Sequence, residues 1–383
     1  MTGAERPRLY SGERQFENFC RMRDFYPSVG WSAAAAPRPF RRGTPIELPE
    51  TYSFEGSQRS TQALLEATDT SALLVLRDGE VCFEQYWLTG GASTPWTSWS
   101  VAKSFISALV GIAVEEGLIG SIDDAISDYF PALANSAYGG VAIRHVLQMS
   151  SGVRWKEDYS DPNSDVNRLG LVMTGALSLD EFVLAIEPDV PPGSLCRYNS
   201  ADTQVLGMLL RGATGRTVTE YMREKLVEPL GMEDGGYWIA DHDNVEMVLG
   251  GLNLSARDYA KLGELFRNGG ALDGQQIVPG DWVDASTRLD GAHVVPGKVL
   301  VGGHAFAFGY GYQWWIPAGE KGDYSAIGVY NQFIYVNPSA RCVIVKLSAN
   351  PRYGVSELEA DNKDEENMAL IRAIADGFAD QAE

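Results

Sequence analysis

Strand-forming segments lie near both ends of this chain, and the sequence between them is helical. Residues 71–87 contain two apolar runs joined by Asp78-Gly79, a pair typical of a two-residue hairpin turn. Residues 331–347 contain a second pair of such runs. From about 140 to 245, apolar residues recur at helical spacing and glycines follow the helical runs. The pattern predicts an α/β (α+β) fold: an antiparallel sheet that takes strands from both ends, with flanking helices and an all-helical insert.

The same pattern divides the chain into predicted domains. Residues 1–55 are rich in proline, arginine and aromatic residues and lack periodicity, so we expect an extended arm that wraps the body. Residues 56–135 and 246–383 form the predicted discontinuous α/β domain, and residues 136–245 form the helical domain. Three further expectations concern local segments: a short helix at 122–130, a solvated acidic loop at 357–366 and a final helix at 368–378.

The composition excludes several classes of partner and site. The formal net charge of −20 argues against nucleic-acid and anionic-membrane partners. No apolar run approaches the roughly 20 residues of a membrane span, and residues 1–18 lack the apolar core of a signal peptide, so we expect a cytoplasmic protein. The four cysteines are scattered without metal-ligand spacing. We therefore expect reduced thiols, no metal, no organic cofactor and a small-molecule partner; a homodimer is compatible with the sequence.

Ser100 precedes Lys103 by three residues at the start of a mostly apolar run, residues 105–118. Residues three apart lie on one face of a helix, so the hydroxyl and the amine can touch. A serine hydroxyl is a weak nucleophile until a base accepts its proton, and a lysine can be that base if burial lowers its pKa. The alternative is an ordinary surface serine and lysine on a helix.

Two other segments carry groups that such a serine would need. Tyr198 stands before a predicted helix, where a phenol can pass a proton to a leaving group and where the Lys103 ammonium would stabilise a phenolate. Gly328 lies in a predicted edge strand, where it allows close backbone approach to a substrate, and the N–H of Ser100 is a natural oxyanion donor. The alternatives are a packed aromatic residue beside a helix N-cap and a glycine bulge. None of the four histidines has a recognisable triad context.

The order and spacing of these motifs resemble those of the penicillin-recognising serine hydrolases, which include class C β-lactamases, D,D-peptidases and related esterases. Residues 98–105 and 157–162 are similar to the branch of aminohexanoate-oligomer (nylon-oligomer) hydrolases. The resemblance runs from about residue 60 to the end. The other segments that carry it are Arg144–Gly152, Asn199–Leu206, Leu254–Asp258, Tyr312–Trp315 and Tyr335–Pro338.

The resemblance implies a role for each matching residue. It implies that Ser100 is the acyl-accepting nucleophile, Lys103 its base and Tyr198 the proton shuttle. It also implies an oxyanion hole formed by the N–H groups of Ser100 and Val329, and a contact between Tyr159 and a leaving amine. The remaining residues of the expected substrate and oxyanion site are Gly328, Ser200, Trp99 and Tyr330.

The chain departs from the family pattern at three places. β-Lactamases and D,D-peptidases carry K-T-G on the strand where this chain has Ala326-Ile327-Gly328, so the cation and hydroxyl that bind a substrate carboxylate are absent. Gly170 stands eleven residues after Tyr159, where amide-active members of the branch carry an acid. Asn331 replaces a glycine that is usual before the glutamine at 332.

These features predict a serine hydrolase that acts on small carboxylic esters, with linear amides as a second substrate class. The aromatic side chains near the expected site indicate an apolar acyl or alcohol group. The alternatives are a β-lactamase or D,D-peptidase, which Ala326 and Ile327 disfavour, and an acyltransferase that uses the same acyl-enzyme. A non-catalytic binding module is disfavoured because Lys103 and Tyr198 are both present.

Overall fold

The computed structural model describes Tyr10, Gly12 and residues 14–379. The helices are α1 Phe16–Phe19, α2 Thr61–Ala67, α3 Ala102–Glu115, α4 Ile143–Leu147, α5 Asp165–Arg168, α6 Gly170–Met173, α7 Leu179–Leu184, α8 Ser200–Thr214, α9 Val218–Met222, α10 Glu228–Leu230, α11 Ala256–Arg267, α12 Gly280–Ser286, α13 Glu359–Asn362 and α14 Asp364–Ala379. The strands are β1 Ser28–Trp31, β2 Arg41–Arg42, β3 Thr51–Phe54, β4 Ser57–Ser60, β5 Thr70–Arg77, β6 Glu80–Tyr86, β7 Trp96–Thr97, β8 Gly236–Ile239, β9 Leu252–Leu254, β10 Ala271–Leu272, β11 Gln275–Gln276, β12 Leu300–Val301, β13 His304–Ala305, β14 Gly309–Tyr310, β15 Trp315–Ile316, β16 Tyr324–Gly328, β17 Gln332–Asn337 and β18 Cys342–Ser348.

An eight-stranded sheet joins the two ends of the chain, in the order β14-β15-β16-β17-β18-β5-β6-β2. Its neighbours are antiparallel except β2, which runs parallel to β6. Both predicted hairpins are confirmed, and the β5–β6 turn has positive φ at Asp78 (53°) and Gly79 (76°), as a tight hairpin turn requires. Because β18 pairs with β5, the prediction of one sheet built from both ends is also confirmed.

Alternation along the central strand divides the interior into two cores. On β5, Leu74 and Leu76 point into one core with residues of α3 and α11, whereas Leu73 and Val75 point into the other with residues of α14. Successive side chains of a strand face opposite sides of the sheet, so a strand buried on both faces reads as a continuous apolar run. In the first core α11 packs on β5, β17 and β18, whereas α3, the helix carrying Lys103, packs against α8.

The predicted all-helical insert contains one strand that the sequence analysis missed. β8 lies within residues 136–245 and joins β1, β9 and β7 in a second sheet. Its four residues are all buried and too few to show alternation, so the prediction of helices alone was wrong there. The predicted helix at 122–130 is also wrong, because only a 3₁₀ turn forms, at Ile126–Asp128. The division into domains stays a prediction.

The predicted arm is held by strand pairing and side-chain hydrogen bonds. Residues 1–9, 11 and 13 of it lie outside the described residues. In the rest, β1 pairs with β8 and β2 with β6. The buried Gln15 amide donates to the carbonyls of Ala349 (2.9 Å) and Asn350 (2.8 Å), at the end of β18. The arm is thus attached to both sheets.

The acidic stretch 357–366 is folded, contrary to the predicted solvated loop. It contains α13 and the start of α14, and the predicted final helix is confirmed within α14. Asp364 is buried and accepts hydrogen bonds from Asn331 Nδ2 (3.0 Å) and Tyr353 OH (2.8 Å). Burial raises the pKa of Asp364 to about 7. Among the described helices, none has the length and apolar content that crossing a bilayer demands.

Candidate active site

Ser100 lies in a tight turn between β7 and α3. Residues Trp99–Val101 form a 3₁₀ turn, and Trp99 has a φ of +45°, which is strained for a bulky residue. Ser100 is buried apart from 8% of its surface. Such a turn holds the hydroxyl at the helix start, where backbone N–H groups have no helical acceptor.

Lys103 is buried and its ammonium contacts the serine. Its Nζ donates to Ser100 Oγ (2.8 Å), Ser200 Oγ (3.2 Å) and the Leu249 carbonyl (2.6 Å), so all three protons have acceptors. Burial lowers the pKa of Lys103 to about 8, and the negative charge of Glu157 opposes this shift. A substantial fraction of the amine is therefore free just above neutral pH, as a base for Ser100 requires.

Tyr198 lies beside the same pair. Lys103 Nζ is 5.3 Å from the Tyr198 ring centroid, and the Tyr198 ring stacks on Trp315, with 5.0 Å between the centroids. Burial raises the pKa of Tyr198 well above 10, the charge of Glu157 adds to the rise, and Ser100 opposes it. The phenol is therefore neutral at rest. Burial thus opposes the expected Tyr198 phenolate, although the Lys103 ammonium lies beside the ring.

Gly328 packs against the turn that carries Ser100. A Cβ at Gly328 would lie 2.5 Å from the Ser98 carbonyl oxygen and 3.1 Å from the Ser100 nitrogen, so only glycine allows this approach. The expectation of an outermost strand is wrong, because β15 and β14 lie beyond β16. However, β15 pairs with β16 only between Trp315 and Ser325, at the end away from Gly328. The second half of β16 therefore packs against the turn that carries Ser100.

A buried glutamine fixes the turn that follows Gly328. Gln332 donates through Nε2 to the carbonyls of Val329 (3.1 Å) and Ser348 (2.6 Å), and its Oε1 accepts from Trp96 Nε1 (3.1 Å) and the Ser348 N–H (3.0 Å). Val329, the expected oxyanion donor, is buried in this turn. Because every polar atom of the glutamine amide is satisfied, the backbone around Val329 has one well-defined position.

The backbone conformation and hydrogen bonds of Asn331 account for an asparagine where the family usually has glycine. It has a φ of +69°, a conformation that asparagine tolerates better than most residues. Its side chain donates to the Asn362 carbonyl (2.7 Å) and to Asp364 (3.0 Å), and accepts from Asn350 Nδ2 (3.0 Å). The asparagine therefore keeps the turn and ties it to the start of α14.

We expect Gly328→Ala to lower kcat/KM for an ester by about 10²- to 10³-fold, the cost of losing one oxyanion donor. The atoms nearest the new methyl group belong mostly to backbone, so the strand or the Ser100 turn must move. Steady-state kinetics with a p-nitrophenyl ester and a thermal melt would measure the effect. Gly377→Ala on α14, where a Cβ meets nothing within 4 Å, is the control. An unchanged kcat/KM in Gly328→Ala would contradict the role of this close contact.

Glu157 is a site residue that the sequence analysis missed. It is 2% exposed, and its carboxylate accepts from Ser200 N–H (3.0 Å), Ser200 Oγ (2.6 Å), Tyr159 OH (2.6 Å) and Trp155 Nε1. Tyr159, expected to contact a leaving amine, is thus bonded to Glu157. The only available signal was the position of Glu157 two residues before Tyr159, in a segment already noted for its resemblance.

Trp99 and Tyr330, expected to contact substrate, pack against the N-terminal arm. The Phe19 ring lies 5.4 Å from Trp99 and 5.1 Å from Tyr330, measured between centroids. Tyr10 lies 5.3 Å from Trp99, and Tyr330 OH donates to the Tyr10 carbonyl (3.0 Å). Both rings therefore pack against the arm. Ser200, which was also expected to contact substrate, contacts Lys103 and Glu157.

A cavity of about 360 Å³ lies beside Glu157. It is lined by Arg154, Trp155, Lys156, Glu157, Asp189, Arg197, Leu300, Gly302 and Gly303. Within residues 14–379, Tyr10 and Gly12, no three His, Cys, Asp or Glu side chains are grouped so that they could hold a metal ion.

Comparison with known proteins gives consistent results. Residues 59–366 match the family described as Beta-lactamase. The 6-aminohexanoate-dimer hydrolase of Paenarthrobacter ureafaciens is 30% identical over 341 residues, which cover 87% of this chain and 85% of that protein.

Solved structures share the fold. A Bacillus anthracis protein provisionally assigned as a 6-aminohexanoate-dimer hydrolase superimposes with a TM-score of 0.83 and 25% identity, over 95% of both chains. A family VIII carboxylesterase superimposes with a TM-score of 0.61 and 16% identity, over 86% of this chain and 99% of that one.

Proposed function

Because this chain belongs to the beta-lactamase family, we propose that it is a serine hydrolase that forms an acyl-enzyme on Ser100. The observation that carries the proposal is the 2.8 Å contact between Lys103 Nζ and Ser100 Oγ, made by a fully buried lysine. Small carboxylic esters are the first substrate class and linear amides the second. The homodimer and the cytoplasmic location expected from the sequence stay predictions.

The proposed reaction uses the side chains around Ser100 in sequence. Lys103, as the free amine, accepts the proton of Ser100 while the serine oxygen attacks the carbonyl carbon. The N–H groups of Ser100 and Val329 stabilise the oxyanion. Tyr198 then gives its phenol proton to the leaving oxygen or nitrogen as the bond from the carbonyl carbon breaks, and the Lys103 ammonium returns a proton to the phenol, so that the lysine is again a free amine. Water attacks the acyl-enzyme by the same route and releases the acid and the free serine.

Gly170 supports the preference for esters. Glycine has no side chain, so this position gives no carboxylate to a departing amine, where amide-active members of the branch carry an acid. An alkoxide leaves with less help from a proton donor than an amine does. The similarity to a 6-aminohexanoate-dimer hydrolase keeps linear amides in the proposal, and the similarity to a carboxylesterase agrees with esters.

The test is a substrate panel followed by mass spectrometry. The protein is mixed with p-nitrophenyl esters of increasing acyl length and with linear 6-aminohexanoate oligomers, and stopped samples are analysed as intact protein and as peptides. We expect a mass increase equal to the acyl group on the peptide containing Ser100. Turnover without that adduct, or an adduct on another residue, would contradict the proposal. Fast partition of the acyl group to an added alcohol would favour the acyltransferase alternative.

We expect penicillins to be poor substrates. The strand that bears Gly328 has Ala326 and Ile327 where a lysine and a hydroxyl would bind the carboxylate of a β-lactam. A charge-assisted hydrogen bond contributes about 1.5–3 kcal/mol, so its loss lowers the affinity by roughly 10- to 150-fold. Measuring kcat/KM for benzylpenicillin beside a p-nitrophenyl ester checks this. Comparable values for the two substrates would refute it.

A further inference from the structure

Glu157 is a buried carboxylate that the reaction above does not use. It connects the loop before α5 to the first residue of α8, because it accepts both the N–H and the hydroxyl of Ser200. A buried charge is costly unless it is paired and hydrogen-bonded. Four donors surround this carboxylate. Capping the start of α8 would require only one of them, the N–H of Ser200, so the other three indicate a further role.

The contacts of Ser200 connect Glu157 to the lysine. Ser200 Oγ gives its proton to Glu157 at 2.6 Å, so its lone pairs face Lys103 Nζ at 3.2 Å. A hydroxyl held in this direction accepts a hydrogen bond from an ammonium and offers no proton to a free amine. The geometry therefore favours the protonated lysine.

We propose that Glu157 is a positioning residue for acylation, which fixes the Ser200 hydroxyl against Lys103 and supplies the negative charge that stabilises the lysine after it has accepted the serine proton. The inference rests on the proposed function of Ser100 and Lys103. It assigns Glu157 no contact with substrate. Its effect passes through Lys103, the base.

The charges around Lys103 agree with this role. Burial lowers the pKa of Lys103 to about 8, and the charge of Glu157 is what opposes a further fall. The tyrosines that face the same space, Tyr159, Tyr198 and Tyr310, all have a pKa raised well above 10 by burial, so they are neutral. Asp202, the other buried acid nearby, hydrogen-bonds to residues outside this group. Its partners are Tyr138, Ser151 and Asn199.

Glu157→Gln tests the inference because it removes the charge and keeps the shape. A glutamine amide must donate with its nitrogen to Ser200 Oγ or Tyr159 OH, where the carboxylate accepted. Ser200 would then turn its proton towards Lys103, which can accept it only as a free amine. We therefore expect the pKa of Lys103 to fall by roughly one unit in the variant.

Two measurements test this expected fall in the pKa of Lys103. The chain has eight lysines, so ¹³Cε-labelled lysine gives a tractable NMR titration in which Lys103→Met assigns the signal of Lys103. The second is the pH profile of kcat/KM for a p-nitrophenyl ester, whose alkaline rise should have a midpoint near pH 8 in the wild type. With a midpoint one unit lower, the ratio of variant to wild-type kcat/KM should rise about tenfold between pH 9 and pH 6.

Asp202→Asn is the matched control. Asp202 is a fully buried acid on α8, two residues after Ser200, and its Oδ1 accepts all three of its hydrogen bonds. Asparagine keeps that oxygen and removes the charge. We expect the Lys103 midpoint to stay within a few tenths of a unit of the wild type, because Asp202 has no contact with the lysine.

The outcomes separate the two proposals. An unchanged Lys103 midpoint in Glu157→Gln, or a kcat/KM reduced by the same factor at every pH, would overturn the role of Glu157. The NMR titration does not depend on turnover, so an absent adduct on Ser100 would contradict the hydrolase proposal alone. If Glu157→Gln fails to fold, Glu157→Asp keeps the charge, and we expect it to keep a midpoint near 8 while lowering kcat/KM.

Discussion

Replacing Ser100 by alanine is expected to abolish the acyl adduct and to lower kcat/KM for esters by about 10⁴-fold or more. The serine oxygen is the atom that forms the covalent bond, and no neighbouring side chain can substitute for it, since Tyr198 is neutral and Lys103 is held as a donor to the serine. Intact-protein mass spectrometry and steady-state kinetics with the same p-nitrophenyl ester measure both effects.

Ser107→Ala is the control for this variant. Ser107 lies on the same helix and is fully buried, and its Oγ has no hydrogen-bond partner in the described part of the chain. Its removal should leave the adduct and the kinetics within about twofold, because the Ser107 hydroxyl makes no hydrogen bond to the groups around Ser100. An adduct that survives in Ser100→Ala would show that another residue is the nucleophile and would end the proposed mechanism.

Lys103→Met is expected to lower the rate of acylation by about 10³-fold, the usual contribution of a general base. Methionine fills nearly the same volume, so the packing of α3 against α8 is retained, whereas Ser100 loses its proton acceptor. A stopped-flow measurement of the first turnover separates acylation from later steps, and a thermal melt shows whether the fold is intact.

Lys346→Met gives the matched comparison. Lys346 is another fully buried lysine, and burial lowers its pKa to about 7, with the charge of Asp364 opposing the shift. It donates to Thr68 Oγ1 (3.0 Å) and to Ser348, away from Ser100. Equal losses of acylation in both variants would mean that a buried lysine matters only for stability. We expect the loss in Lys103→Met alone.

The sequence was informative where structure depends on short stretches of chain. The hairpin around Asp78 and the helix that begins after Ser100 follow from turn chemistry and periodicity, and both form as predicted. The contact between Ser100 and Lys103 needs only a helical start and burial.

What depends on distant parts of the chain could not be read in this way. β8 is a strand because it pairs with β1 of the arm on one side and with β9 on the other, and nothing within its four residues indicates this. Glu157 is an ordinary glutamate in a loop until the fold brings Ser200 to it. Trp99 and Tyr330 were expected to contact substrate, but arm residues about 80 to 320 positions away in the chain pack against them.

The attachment of the arm has a practical consequence for anyone who trims this protein to the residues that match the family. A fragment of residues 59–366 would lose β1, β2 and β3 together with the apolar face of α14, including Ile371 and Phe378. It would leave β8 with an unpaired edge and bare one side of the large sheet, both of which promote aggregation. Residues 59–366, which match the family, thus omit strands that complete both sheets, and a stable sample of this protein should include the arm and all of α14.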